Sequence, residues 1–141
     1  MSGAERSGPE FAGDRQPPSG GVYEWYQRGL SLLDAGSPAA ALQLFERAAD
    51  AEPSSHSVRE ALARAQFDAG RYAEAAENFA IIVEENPVDD YARFGLGLAA
   101  TRNGELDRAV EHLAVAVGLR PERMQYRTAL RAARATRERQ G

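Results

Sequence analysis

The sequence predicts an all-α protein, an α-solenoid of stacked helical hairpins, and three observations carry that expectation. First, five sets of residues recur at a spacing of 34: Gly36, Gly70 and Gly104; Pro53, Pro87 and Pro121; Ala41, Ala75 and Ala109; Phe45, Phe79 and Leu113; Gly29, Ala63 and Gly97. No insertion or deletion interrupts the three copies. Second, small and apolar residues inside each copy fall three and four apart, the period of one helix face. Third, each copy is punctuated twice. Its Gly can take a positive φ and so end the first helix. Its Pro lacks an amide donor and pushes the preceding residue out of the α region, which ends the second.

The elements follow in order. Residues 1–21, "MSGAERSGPEFAGDRQPPSGG", are dominated by Gly, Pro and Ser. They have too little apolar surface to offset ordering and are expected to form a flexible tail. They also lack the apolar run of a signal peptide. Three units follow, at 22–55, 56–89 and 90–123, each with an A and a B helix. In the second unit, Leu62, Ala63 and Gln66 pattern helix A, and Ala75, Phe79, Ile82 and Val83 pattern helix B. The small residues Gly29, Ala63 and Gly97 are placed to face Ala41, Ala75 and Ala109, so that paired backbones can approach closely. One hairpin cannot bury its stripe alone, so the copies must stack. Residues 124–141 supply a seventh, capping helix, with Met124, Ala129, Leu130 and Ala133 expected inward and the arginines outward.

The period and its contents resemble the tetratricopeptide repeat (TPR). The first copy carries Trp25, Gly29, Leu32, Ala41, Phe45 and Pro53, with Arg28 in place of the usual Leu. The second keeps Leu62, Ala63, Ala75, Phe79 and Pro87; the third keeps Leu96, Gly97, Ala109 and Pro121. Arg59 and Arg93 stand at the Trp position. The resemblance implies a right-handed superhelix of three repeats plus a cap. It also implies that the A helices line a concave groove through positions 2, 5, 9 and 12 of each repeat. Those positions hold Tyr23, Tyr26, Leu30 and Leu33 in the first repeat. They hold Ser57, Glu60, Arg64 and Phe67 in the second, and Tyr91, Phe94, Leu98 and Thr101 in the third. Eight of the twelve are aromatic or aliphatic, where an idle groove should be polar. An exposed apolar patch of this kind marks an interaction site, and rigid aromatics make good anchors.

The expected function is therefore non-catalytic: a scaffold or adaptor that holds an apolar peptide or helix of another protein. Self-association, or occupation of the groove by the chain's own tail through Phe11, are the alternatives. TPR co-chaperones grip a terminal carboxylate with basic and amide residues. The corresponding places here are Tyr26, Leu30, Ala61, Tyr91 and Gly95, so the resemblance does not imply that activity. Cysteine is absent, which excludes disulfides, thiol nucleophiles and cysteine-ligated zinc. His56 and His112 have no partner at metal-ligand spacing. "GLGLAA", from Gly95, lacks the strand that a dinucleotide loop requires. No cofactor and no metal are expected. The densest apolar run, "FAIIV", is too short to cross a membrane, and the default compartment is the cytoplasm.

Charge is uneven. Residues 120–139 hold seven arginines and two glutamates, whereas the 119 residues before them hold ten arginines and nineteen acids. Arg123, Arg127, Arg131 and Arg134 form one stripe along the capping helix. A solvated outer face is one reading of it. A dock for an acidic partner is another, as is a weak contact with the acidic surface of a second copy. Nucleic acid is not favoured, because Tyr126 is the lone aromatic available for base stacking.

Overall fold

The computed structural model describes residues 21–141 and contains seven helices and no strand among them. The expected tail, including Phe11, lies outside the described residues. The helices are α1 (Val22–Asp34), α2 (Pro38–Ala51), α3 (His56–Asp68), α4 (Tyr72–Glu85), α5 (Asp90–Arg102), α6 (Leu106–Leu119) and α7 (Met124–Gln140).

The punctuation works as its chemistry requires. Gly36, Gly70 and Gly104 have φ of 82°, 84° and 79°, a region that residues with a Cβ rarely enter. At each, the glycine amide and the next amide bond back to the last turn, as with Gly36 N to Leu33 O and Ser37 N to Leu32 O. This is the Schellman arrangement that satisfies otherwise orphaned carbonyls. At the start of α3 the Ser55 hydroxyl accepts from Val58 N, and at the start of α5 the Asp89 carboxylate accepts from Ala92 N at 3.0 Å. The third equivalent position is Arg123, which cannot cap α7 in this way.

Packing repeats with the same period. Phe45, Phe79 and Leu113 are essentially fully buried. A Cβ on Gly29 would lie 2.5 Å from the Phe45 ring, and one on Gly97 would lie 2.5 Å from Leu113 Cγ. These glycines are the space that the large B-helix side chains occupy. Each apolar cluster joins a hairpin to the A helix of the next: Phe45 with Leu62 and Ala65, Phe79 with Ala92 and Leu96, Leu113 with Leu130 and Ala133. Successive A helices approach one another, whereas successive B helices do not. The stack therefore curves, with α1, α3, α5 and α7 on its inner side.

The capping helix departs from expectation at its first residue. Met124 is 67% exposed, and Tyr126 takes the inward place at 1%. The register gives the reason. Tyr126 is the third residue of its unit, like Val58 and Ala92, and that position faces back onto the preceding hairpin in all three helices. Tyr126 donates to Asp90 Oδ2 at 2.6 Å, which ties α7 to the start of α5. Burial and this bond raise its phenol well above the ordinary tyrosine range. Tyr126 is thus unavailable as a stacking aromatic on the surface.

Candidate functional site

On the inner side, α3 and α5 enclose a cleft of about 230 Å3 lined by Arg64, Phe67, Asp68, Phe79, Tyr91, Phe94, Gly95 and Leu98. The helical spacing of Arg64 and Phe67 on α3, and of Tyr91, Phe94 and Leu98 on α5, turns these five side chains to one place. Gly95 sets the depth. A Cβ there would fall 2.6 Å from the Phe79 ring, so only glycine lets that ring pack against α5 and floor the cleft. The aromatics form a chain of edge and tilted contacts. Phe79 and Tyr91 stand 6.2 Å apart, Tyr91 and Phe94 6.4 Å, and Phe94 and Tyr126 4.6 Å. Such pairs hold one another in place beyond simple burial, so the cleft's wall is preorganised.

Electrostatics in the cleft are mild. Burial raises the Tyr91 phenol above its usual value, with Arg64 opposing. Burial, and next the charge of Asp89, raise the Glu60 carboxyl. Arg64 is half-buried and, with the exposed Asp68, lines the cleft. Arg102 lies 5.3 Å over Phe67 and 5.5 Å over Tyr72, donates to the Tyr72 hydroxyl at 2.9 Å, and so braces the α3 side of the wall.

The structure does not gather every expected groove residue. In the first repeat Tyr23 is 62% exposed, and Tyr26 is partly buried with its ring 6.3 Å from Phe45. Leu30 packs partly against the first core cluster. Leu33 is a correction: it is 6% exposed and belongs to the core with Leu62 and Ala65. Its position lies at the seam between consecutive A helices, and the α3 side covers it. Phe67, the equivalent residue one repeat on, is larger and keeps part of its ring open to the cleft. Phe94 lines the cleft as expected. It is packed on Tyr126 as well as facing the cleft, so it is not independent of the core. Thr101 donates to Gly97 O at 2.9 Å and Ser57 is exposed outside the cleft lining.

One repeated device was not recognised in the sequence. Arg59, Arg93 and Arg127 each donate to the carbonyl of the proline six residues earlier, Pro53, Pro87 and Pro121. Arginine at the Trp position is therefore a clasp between the interrepeat loop and the next A helix. The signal was present as Pro-x5-Arg at the 34-residue step. Arg59 also reaches across its hairpin, donating to Asn78 Oδ1 on α4 at 2.9 Å, and Asn78 in turn donates to the buried Gln66. One repeat later the same pair of positions holds Arg93 and His112. Burial, and next the charge of Arg93, lower the His112 pKa. The unfolded chain thus takes up that proton first. This contribution to stability is intact above about pH 6.5 and is lost as pH falls from there through the folded value. In urea melts, His112→Gln should lose less stability than the parent between about pH 7.5 and about pH 5. Equal losses would place the titration elsewhere.

The arginine stripe is only partly free. Arg127 is engaged with Pro121, and Arg123 precedes the helix as its N-cap residue, while Arg131 and Arg134 are exposed. No group of three or more His, Cys, Asp or Glu side chains that could hold a metal ion occurs among the described residues, and none of their helices is long and apolar enough to cross a membrane.

Comparison with known proteins finds the same fold. MamA from Desulfovibrio magneticus RS-1 superposes with a TM-score of 0.80 at 22% identity, over 85% of this chain and 68% of that one. MamA of MSR-1 gives 0.74 at 25% identity, over 83% and 67%. The first TPR of Spaghetti (RPAP3), solved bound to the HSP90 peptide SRMEEVD, gives 0.76 at 19% identity, over 84% and 94%. No curated protein matches the sequence. The family model described as tetratricopeptide repeat matches residues 26–87 and again 60–123, and the chain belongs to the tetratricopeptide repeat family.

Proposed function

We propose that this protein is a non-catalytic scaffold that holds an apolar peptide or helix of another protein in its concave face. One observation carries the reading: Phe67, Tyr91, Phe94 and Leu98, from two different helices, share a single open cleft with Arg64 and Asp68. A cleft with aromatic walls, one cation and one carboxylate suits an apolar anchor flanked by polar backbone groups. Tyr23, Tyr26 and Leu30 extend the same inner side toward α1. The fold it shares with the peptide-bound RPAP3 repeat is one able to hold a peptide. The places expected to grip a terminal carboxylate carry Tyr26, Leu30, Ala61, Tyr91 and Gly95, so an internal apolar segment suits this groove better than an acidic C-terminus. The cytoplasm is the proposed compartment.

Leu98 is half-buried on the cleft and lies outside the three core clusters. Leu98→Glu should therefore remove partners in an affinity capture from the source cell and leave the melting temperature close to that of the parent. Phe94→Ala should lose partners too, but with a lower melting temperature because it also uncovers Tyr126. If both lanes capture the same proteins as the parent, the concave cleft is not the binding site.

A further inference from the structure

The 34-residue register continues into α7. In every preceding A helix, three positions face the B helix of the same repeat. The fourth carries Trp25, Arg59 or Arg93. The eighth carries Gly29, Ala63 or Gly97, each closed over by its B helix. The eleventh carries Leu32, Gln66 or Ala100. In α7 these positions are Arg127, Arg131 and Arg134. The arginine stripe is therefore the face on which a B helix would sit. Among the described residues no B helix covers it. The place of Gly36, Gly70 and Gly104 is taken by Glu138, and α7 continues past it to Gln140.

The second repeat shows how such an arginine engages a B helix. Arg59 uses one nitrogen for the Pro53 carbonyl and the other for Asn78 on α4. Arg127 holds Pro121 in the same manner. Among the described residues no counterpart of Asn78 bonds Arg127. Around it lie Arg131 and Arg134, both exposed, and Met124, an exposed apolar contact on the same side. Within α7 five arginines face one glutamate. Two copies meeting through this face would bring like charges together, which disfavours a symmetric α7 dimer. Duplex or single-stranded nucleic acid suits the charge but not the surface, since the helix's aromatic, Tyr126, is buried.

We infer that the open face of α7 is a second docking site, separate from the cleft, which takes an acidic helix of another protein in the place of a fourth B helix. Carboxylates on that helix would meet Arg131 and Arg134, and an acceptor at its centre would meet Arg127. Guanidinium forks suit carboxylates in such a setting. The site is independent of the cleft between α3 and α5.

The test uses the full chain and a fluorescein-labelled helical peptide of alanine, leucine and glutamate, with its glutamates on one face. A lysine twin of the same peptide and a single-stranded oligonucleotide serve as controls. Fluorescence anisotropy at low ionic strength should show binding of the glutamate peptide and not of the lysine twin. Arg131→Glu/Arg134→Glu should weaken it by about tenfold or more, because both charges then repel the ligand. Neither arginine carries a contact that holds the fold, so the variant's helical circular dichroism should be unchanged. Leu98→Glu should leave this binding intact. The inference is overturned if the glutamate peptide fails to bind, if the double variant binds it as well as the parent, or if Leu98→Glu abolishes binding. It is also overturned if the oligonucleotide binds as tightly and competes.

Discussion

Phe45→Ala should lower the free energy of unfolding by about 3–5 kcal/mol, the range for removing a fully buried aromatic. Phe45 has 0% exposure and sits at the centre of the first core cluster. Against the roughly 5–15 kcal/mol that holds a typical domain together, that loss leaves little margin. Gly29→Ala is the informative companion. Alone it should destabilise by about 1–3 kcal/mol, because the new Cβ would sit 2.5 Å from the Phe45 ring and a well-packed core resists overfilling. Combined with Phe45→Ala the same Cβ enters the space that the ring has left. The double variant should be more stable than the sum of the two losses allows, a coupling expected only of groups in contact. Strict additivity in denaturant melts would mean that the two helices do not meet at this pair.

Much of the fold was legible because its determinants are local and repeated. A glycine that must take positive φ and a proline that ends a helix act over a few residues, and each occurs three times in step. The cleft was legible in part. Arg64 and Phe67 on α3, and Tyr91, Phe94 and Leu98 on α5, fall together because helical spacing turns each set to one side and the repeat stacks the two helices in register. Leu33 did not follow, since its exposure depends on how closely α3 approaches α1, a tertiary distance that no spacing within one helix encodes. Met124 and Tyr126 exchanged roles for the same kind of reason. Helix-prone sequence fixes that α7 forms, but its rotation is set by what Asp90 and the third core cluster accept. Arg59 and Arg93 were readable only as departures from a familiar pattern, and Arg127 only as one member of a charged stripe. Their common distance from a proline becomes meaningful once the loop carbonyl is seen beside each guanidinium.

The central claim is that the concave cleft between α3 and α5 contacts another protein. It is tested most directly by placing a photo-reactive benzoylphenylalanine at single positions of the full chain in the source cell. Leu98 borders the cleft, and Val115 on α6 is 39% exposed and lies outside the cleft lining. Both variants should retain the helical spectrum of the parent. Irradiation should then give a discrete higher-mass adduct from position 98 and none from position 115. An adduct from position 115 alone would contradict the assignment of the concave face. So would a cross-link from position 98 that joins the chain only to its own first twenty residues.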